Sequence, residues 1–158
     1  MTSKTCFPLF LGLVFLAGQA QAEEKPVSSN YKHFEKMTWA IGAWQPTKAK
    51  KEKPFKEWRF AWTANKNALL ITQMVLNNGK PEGQLDSLFG WDKQKEEIRG
   101  AGFGTDGITG AGWVLQVDKN KFTIVVGSSE WVFTLKKDNQ MTVENPQGQT
   151  TNYRRTSK

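Results

Sequence analysis

Catalytic chemistry has few footholds in this chain. His33 is the only histidine, so a Ser-His-Asp relay would have to run through it, and no Gly-x-Ser-x-Gly elbow accompanies it. Cys6 is the only cysteine and lies in a segment expected to be removed. A zinc set of imidazoles and thiolates therefore cannot be assembled, and no metal, no cofactor and no catalytic residue is assigned. Gly102-Phe103-Gly104-Thr105-Asp106-Gly107 spells the dinucleotide pattern G-x-G-x-x-G. That site needs a helix after the glycines, so that pyrophosphate meets a helix N-terminus, whereas here a turn and another strand come next. Asp86 and Glu97 are carboxylates that could move protons, but no spacing pairs them. Asp86 and Glu57 are equally suited to ordinary cross-strand ion pairs with Arg99 or Arg59.

Binding chemistry is better represented. Trp58-Arg59-Phe60-Ala61-Trp62 places three aromatics on one face of a strand. Trp58, Phe60, Trp62, Phe89, Trp91 and Trp113 are the candidate liners of an apolar site, with Gln73 and Arg99 as polar handles. Aromatics at this spacing also make ordinary cores. Gly100, Ala101, Gly102 and Gly104 face Gly110, Ala111 and Gly112 across the Asp106-Gly107 turn. Strands so poor in side chains either bend a barrel or leave space beside bulky neighbours. The expected pocket lies between the 58–62 strand and the 100–112 hairpin.

The elements that must position these residues are strands. Alternating runs are predicted at 55–63, 68–76, 85–91, 97–104, 108–117, 121–127, 131–136, 141–144 and 150–154, after an opening strand at Gly42-Ala43-Trp44. Asn78-Gly79 and Asp106-Gly107 are strong hairpin turns, because these residues accept positive φ. The apolar spacing of Phe34, Met37, Trp39, Ala40 and Ile41 predicts one short helix over 31–41. The fold class is all-β: a single antiparallel up-and-down barrel of about 8–10 strands, closed to protect its edges, with a short N-terminal helix.

Residues 1–22 are expected to be a signal peptide. Lys4 gives the basic start, 7–17 the apolar stretch and Ala20-Gln21-Ala22 the cleavage site. The stretch is too short to span a bilayer, which takes about 20 residues. Residues 23–158 are then one barrel domain, periplasmic or extracellular. The full chain carries a formal charge of +7, and loss of Lys4 leaves +6. Lys48, Lys50, Lys51 and Lys53 crowd one connection. With no second basic cluster or base-stacking pattern, it reads as a solvated loop, not a nucleic-acid site, and offers a weak contact for an anionic envelope surface.

A short helix followed by Gly42-Ala43-Trp44 resembles the lipocalins and wider calycins. In those folds the Trp seals one barrel end and a basic residue from the last strand covers it; Arg154 or Arg155 holds the matching position. Trp62, 66–70 (Lys-Asn-Ala-Leu-Leu), Gly90-Trp91-Asp92, Ile98-Arg99, Asp106-Gly107 and Gly112-Trp113 are similar to small exported bacterial lipocalin-like domains. The likeness covers roughly 34–117. Gly110-Ala111-Gly112-Trp113 departs from the pattern by one residue, which bears on the register of that strand. A late-strand haem histidine is absent, so haem is not carried over. The resemblance and the aromatic strand faces together imply a non-catalytic barrel holding a small, largely apolar molecule. The alternatives are a filled barrel acting as an envelope interaction module, with the basic loop as its contact, and an enzyme using Asp86 or Glu97.

Overall fold

Alternation of bulky apolar residues with polar ones gives the chain strands with one wet and one dry face. In the computed structural model, which describes residues 27–50, 52–107, 109–137 and 139–157, these strands close into one barrel. The leader expected at 1–22 and Lys51 lie outside the described residues. The strands are β1 (Gly42–Pro46), β2 (Phe55–Trp62), β3 (Ala68–Asn77), β4 (Lys80–Asp92), β5 (Glu97–Gly104), β6 (Thr109–Val117), β7 (Lys121–Val126), β8 (Ser129–Lys137), β9 (Gln140–Glu144) and β10 (Thr150–Ser157). Each pairs antiparallel with the next, and β1 also pairs with β10. Among the described strands no edge is left to template aggregation. The architecture is compatible with a calycin-like fold.

Asn78 and Gly79 both take positive φ, 51° and 75°, the conformation that a two-residue hairpin turn requires. β4 therefore starts at Lys80, five residues before the predicted strand. Pro81 and Gly83 mask it in the sequence. Pro81 is tolerated because the ladder is already irregular between Val75 and Leu76, opposite it.

The N-terminal helix is two 3-10 segments, Ser29–His33 and Glu35–Ala40. The buried residues Phe34, Met37 and Ala40 recur every third position, which fits three residues per turn better than 3.6. They plug one barrel end and join a core that includes Trp44, Leu69, Ile98, Phe122 and Tyr153. In the middle, Phe122 and Phe133 stack at 4.4 Å, with Phe60 edge-on to both at 5.5 and 5.8 Å. Such pairs add to stability beyond their buried area.

His33 belongs to this plug. Its ring lies flat on Trp91 at 3.4 Å between centroids. Burial, and secondarily the nearby Lys32, lower its pKa. The folded state thus disfavours the imidazolium relative to the unfolded chain. This contribution to stability is complete above the ordinary histidine value of about 6.5 and is lost as pH falls through the lowered folded value. Since no other histidine exists, a melting temperature followed between about pH 7.5 and 5.5 should decline in the wild type. His33→Phe, which keeps a flat ring on Trp91, should flatten that segment. An identical decline in the variant would remove His33 as its source.

Candidate functional site

The end opposite the plug is open. Its cavity, about 350 Å³, is walled by Trp58 of β2, Ile71 and Gln73 of β3, Leu85 and Ser87 of β4, and Trp113 of β6. Ile124 and Val126 of β7, Ser129 and Trp131 of β8, and Pro146 complete it. The volume is at the small end of the range for ligand sites, about 300–1,000 Å³. Its floor is aromatic: Trp58 meets Phe133 edge-on at 5.0 Å and Trp131 at 5.9 Å. Among the described residues, the side chains of Gln73 and Ser87 make no hydrogen bond to protein. They are two polar groups in an otherwise apolar wall.

Tyr153 lies buried close to Trp58. Burial pushes its phenol up from the ordinary tyrosine value, and the nearby Trp58 indole draws it part of the way back. The two groups nevertheless fall outside good hydrogen-bond geometry, and the Trp58 indole N–H has no partner among the described residues.

The expected liners divide by position. Trp58, Gln73 and Trp113 form part of the cavity. Phe60 belongs to the packed middle. Trp62 and Trp91 lie at the plugged end, where Tyr31 and Phe34 meet Trp62 at 5.5 and 6.2 Å and His33 covers Trp91. Phe89 is fully buried beneath Gly100. Arg99 is not a polar handle inside the barrel. Its neighbour Ile98 points into the core, so alternation turns Arg99 outward, where it pairs with Glu97 at 2.5 Å. Asp86 also faces out, accepting hydrogen bonds from Thr72 and Gln84, each at 2.6 Å. Glu57 is buried on the outer side and accepts from Gln45 and Arg59, also at 2.6 Å. Ile124, Val126 and Trp131 are liners that the sequence reading did not single out, although the alternation of β7 and β8 carries the signal.

The glycine-rich hairpin is not an empty wall. The Trp113 indole lies over Gly102 and Gly110, where an added Cβ would approach it to 2.1 and 2.7 Å. The departure at 110–113 is a bulge: Trp113 pairs with Gly100 and Ala111 with Ala101, leaving Gly112 over. Gly112 has φ +77°, the conformation that lets such a bulge form without strain. The bulge aims Trp113 inward, across the bare backbone of β5.

At the plugged end, Trp44 is fully buried and donates to the Ala40 carbonyl at 2.6 Å. Gly42 precedes it at φ +119°, which a side chain would strain. Arg155 is directly opposite Trp44 in the ladder, its guanidinium 4.7 Å from the indole centroid, and it donates to the Trp39 carbonyl. Arg154, one residue away, is exposed on the other face.

Two further surfaces stand out. At the open end, Lys48, Lys50 and Lys53 line a recess between the 47–54 connection and the start of β10. On the outer face, Leu70 and Leu88 sit opposite each other on β3 and β4, with Phe103 on β5 beside them. Phe103 is 61% exposed and Leu88 49%. A comparison with protein-family models finds no match, and no curated protein matches the chain.

Proposed function

We propose that this protein is an exported binding barrel that holds a small, largely apolar molecule at its open end without transforming it. The cavity walled by Trp58, Trp113 and Trp131 carries this reading: it is apolar, of ligand size, and holds Gln73 and Ser87 with their hydrogen-bonding capacity unspent. Among the described residues no carboxylate, imidazole or thiol lines it, and Asp86 and Glu97 face outward. The calycin likeness of the sequence and the sealing pair Trp44–Arg155 support the same reading. So does the leader pattern of Lys4, 7–17 and Ala20-Gln21-Ala22 for export. Native mass spectrometry of protein recovered from its own host tests both halves. The expected mass is that of a chain beginning at Glu23 plus one small molecule, released on unfolding. A chain retaining Met1 overturns export. A bare chain that also fails to quench its Trp emission with any apolar probe overturns the binding barrel.

A second reading, an envelope interaction module, draws on the exposed row of Leu70, Leu88 and Phe103. Patches of this kind on soluble proteins often mark contacts. The same bare, non-quenching chain would favour it.

A further inference from the structure

The outer wall of the barrel is symmetric about one line. Directly paired residues on β2, β3, β4 and β5 form two rows there. One row reads Ala61, Leu70, Leu88, Ala101, and the next reads Arg59, Thr72, Asp86, Phe103. Their chain neighbours Phe60, Leu69, Ile71 and Phe89 are buried in the core, so alternation turns both rows outward. The first row is a palindrome about the seam between β3 and β4, two leucines flanked by two alanines. Leucines paired across a ladder beside an exposed phenylalanine make a patch, not scattered apolar residues. The charges around it are answered within the chain. Arg59 pairs through Nε with the buried Glu57, Arg99 pairs with Glu97, and Asp86 accepts from Thr72 and Gln84. A strongly charged partner therefore finds little to neutralise on this face. What stays open is the outer end of the Arg59 side chain, 55% exposed, and the Phe103 ring.

We propose that this face docks a second copy of the chain. The two-fold axis lies in the contact, parallel to the strands and over the β3–β4 seam. A two-fold contact must be self-complementary: where residue i meets j, j meets i. About this axis Leu70 meets the second copy's Leu88, and Leu88 meets its Leu70. In the next row Thr72 meets Asp86 and Arg59 meets Phe103, each twice. A guanidinium over an aromatic face is attractive, and a hydroxyl opposite a carboxylate can donate to it. Two convex walls part on either side of the axis. The leucines stand where the walls are closest. The long side chains of Arg59 and Phe103 stand three strands apart at the flanks, where a wider gap must be bridged. Four strands about 4.8 Å apart and two rows deep fall well short of the roughly 800 Å² that each partner gives a standard interface. The dimer is therefore weak, with a Kd on the order of 0.1 mM. The proposal uses no property of the cavity and stands apart from the binding-barrel reading.

Analytical ultracentrifugation of the purified protein tests this. Between about 5 µM and 1 mM the wild type should pass from monomer to dimer. Both copies carry the same net positive charge, so raising salt from about 0.02 to 0.3 M should strengthen the dimer by screening their repulsion. Leu88→Lys, which sets a charge against leucine on the axis, should weaken it at least about tenfold. The two Phe103 variants fix the orientation. Phe103→Arg brings like charges together at both flanks and should also cost about tenfold or more. Phe103→Glu sets a carboxylate against Arg59 at both flanks. It should keep the dimer and reverse its salt dependence, so that salt now weakens it. Equal losses in the two Phe103 variants overturn this axis, and an undiminished dimer in Leu88→Lys overturns the face. A wild type that stays monomeric throughout overturns the proposal without any variant. Flotation of that monomer with phosphatidylglycerol vesicles, lost in Leu88→Lys, would give the row to a membrane instead. Uptake of an apolar probe should be the same in wild type and Leu88→Lys, so failure of the dimer and failure of the binding barrel are read separately.

Discussion

Trp44→Ala should cost about 3–5 kcal/mol of folding stability, the range for truncating a large aromatic in a core. Three separate interactions end on that indole. Its ring is fully buried against the plug, edge-on to Trp39 at 6.5 Å. Its N–H satisfies the carbonyl of Ala40, the last residue of the second 3-10 segment. Its face takes the Arg155 guanidinium. Alanine opens a cavity, orphans a buried carbonyl and strands a cation at once. Trp44→Phe keeps most of the ring and loses the N–H, so it should cost less, about 1–3 kcal/mol. Arg155→Ala removes a cation–π contact of about 0.5–2 kcal/mol together with its hydrogen bond to Trp39. Arg154→Ala, on the exposed face, should change stability by no more than about 0.5 kcal/mol. Urea unfolding of the four variants orders them. A loss below about 1 kcal/mol for Trp44→Ala, or equal losses for the two arginine variants, would show that the barrel end is not sealed this way.

Barrel closure is legible in the chain because period-two alternation and positive-φ turn residues are local signals, repeated from one end of the domain to the other. Gly42-Ala43-Trp44 with two terminal arginines points to the seal only through the resemblance those residues carry, not through any local signal. It cannot choose between Arg154 and Arg155, because the choice depends on register; the ladder shifts between Ala43 and Trp44 before setting Trp44 against Arg155. The candidate site is less legible for a related reason. Alternation says which side chains point inward, but not how far along the axis each one lies. Trp58 and Trp62 share a face of β2, yet one floors the open cavity and the other packs beneath Tyr31 at the plugged end. The aromatics of the 3-10 plug consume Trp62 and Trp91, a long-range pairing that no local pattern announces. Arg99 fails on parity, which the neighbouring Ile98 could have corrected. The glycine hairpin reads as vacancy because a sequence shows missing side chains and not what fills the space. The filler, Trp113, is delivered by the Gly112 bulge.

That arrangement makes Gly102 the position where one methyl group should do most to the cavity. A Cβ there would stand 2.1 Å from Cη2 and 2.5 Å from Cζ3 of Trp113, far inside contact distance. The indole has one way to yield, toward the cavity it lines. Gly102→Ala should therefore cost about 1–3 kcal/mol, as overpacking does, and should abolish uptake of an apolar probe by pushing Trp113 into the space the probe needs. Gly112→Leu is the contrasting case. Its φ of +77° strains any side chain, but its Cβ would meet Arg99 Nη2 at 3.3 Å, on the outer face. It should lose stability, and in protein that remains folded it should keep probe uptake. Trp113→Ala should enlarge the cavity and relieve the clash, so Gly102→Ala made in that background should cost at least about 1 kcal/mol less than in the wild type. Urea unfolding and Trp quenching of the two single variants and the double variant read stability and uptake together. Additive costs, or undiminished uptake by Gly102→Ala, would mean that Trp113 does not lie between the glycine backbone and the cavity.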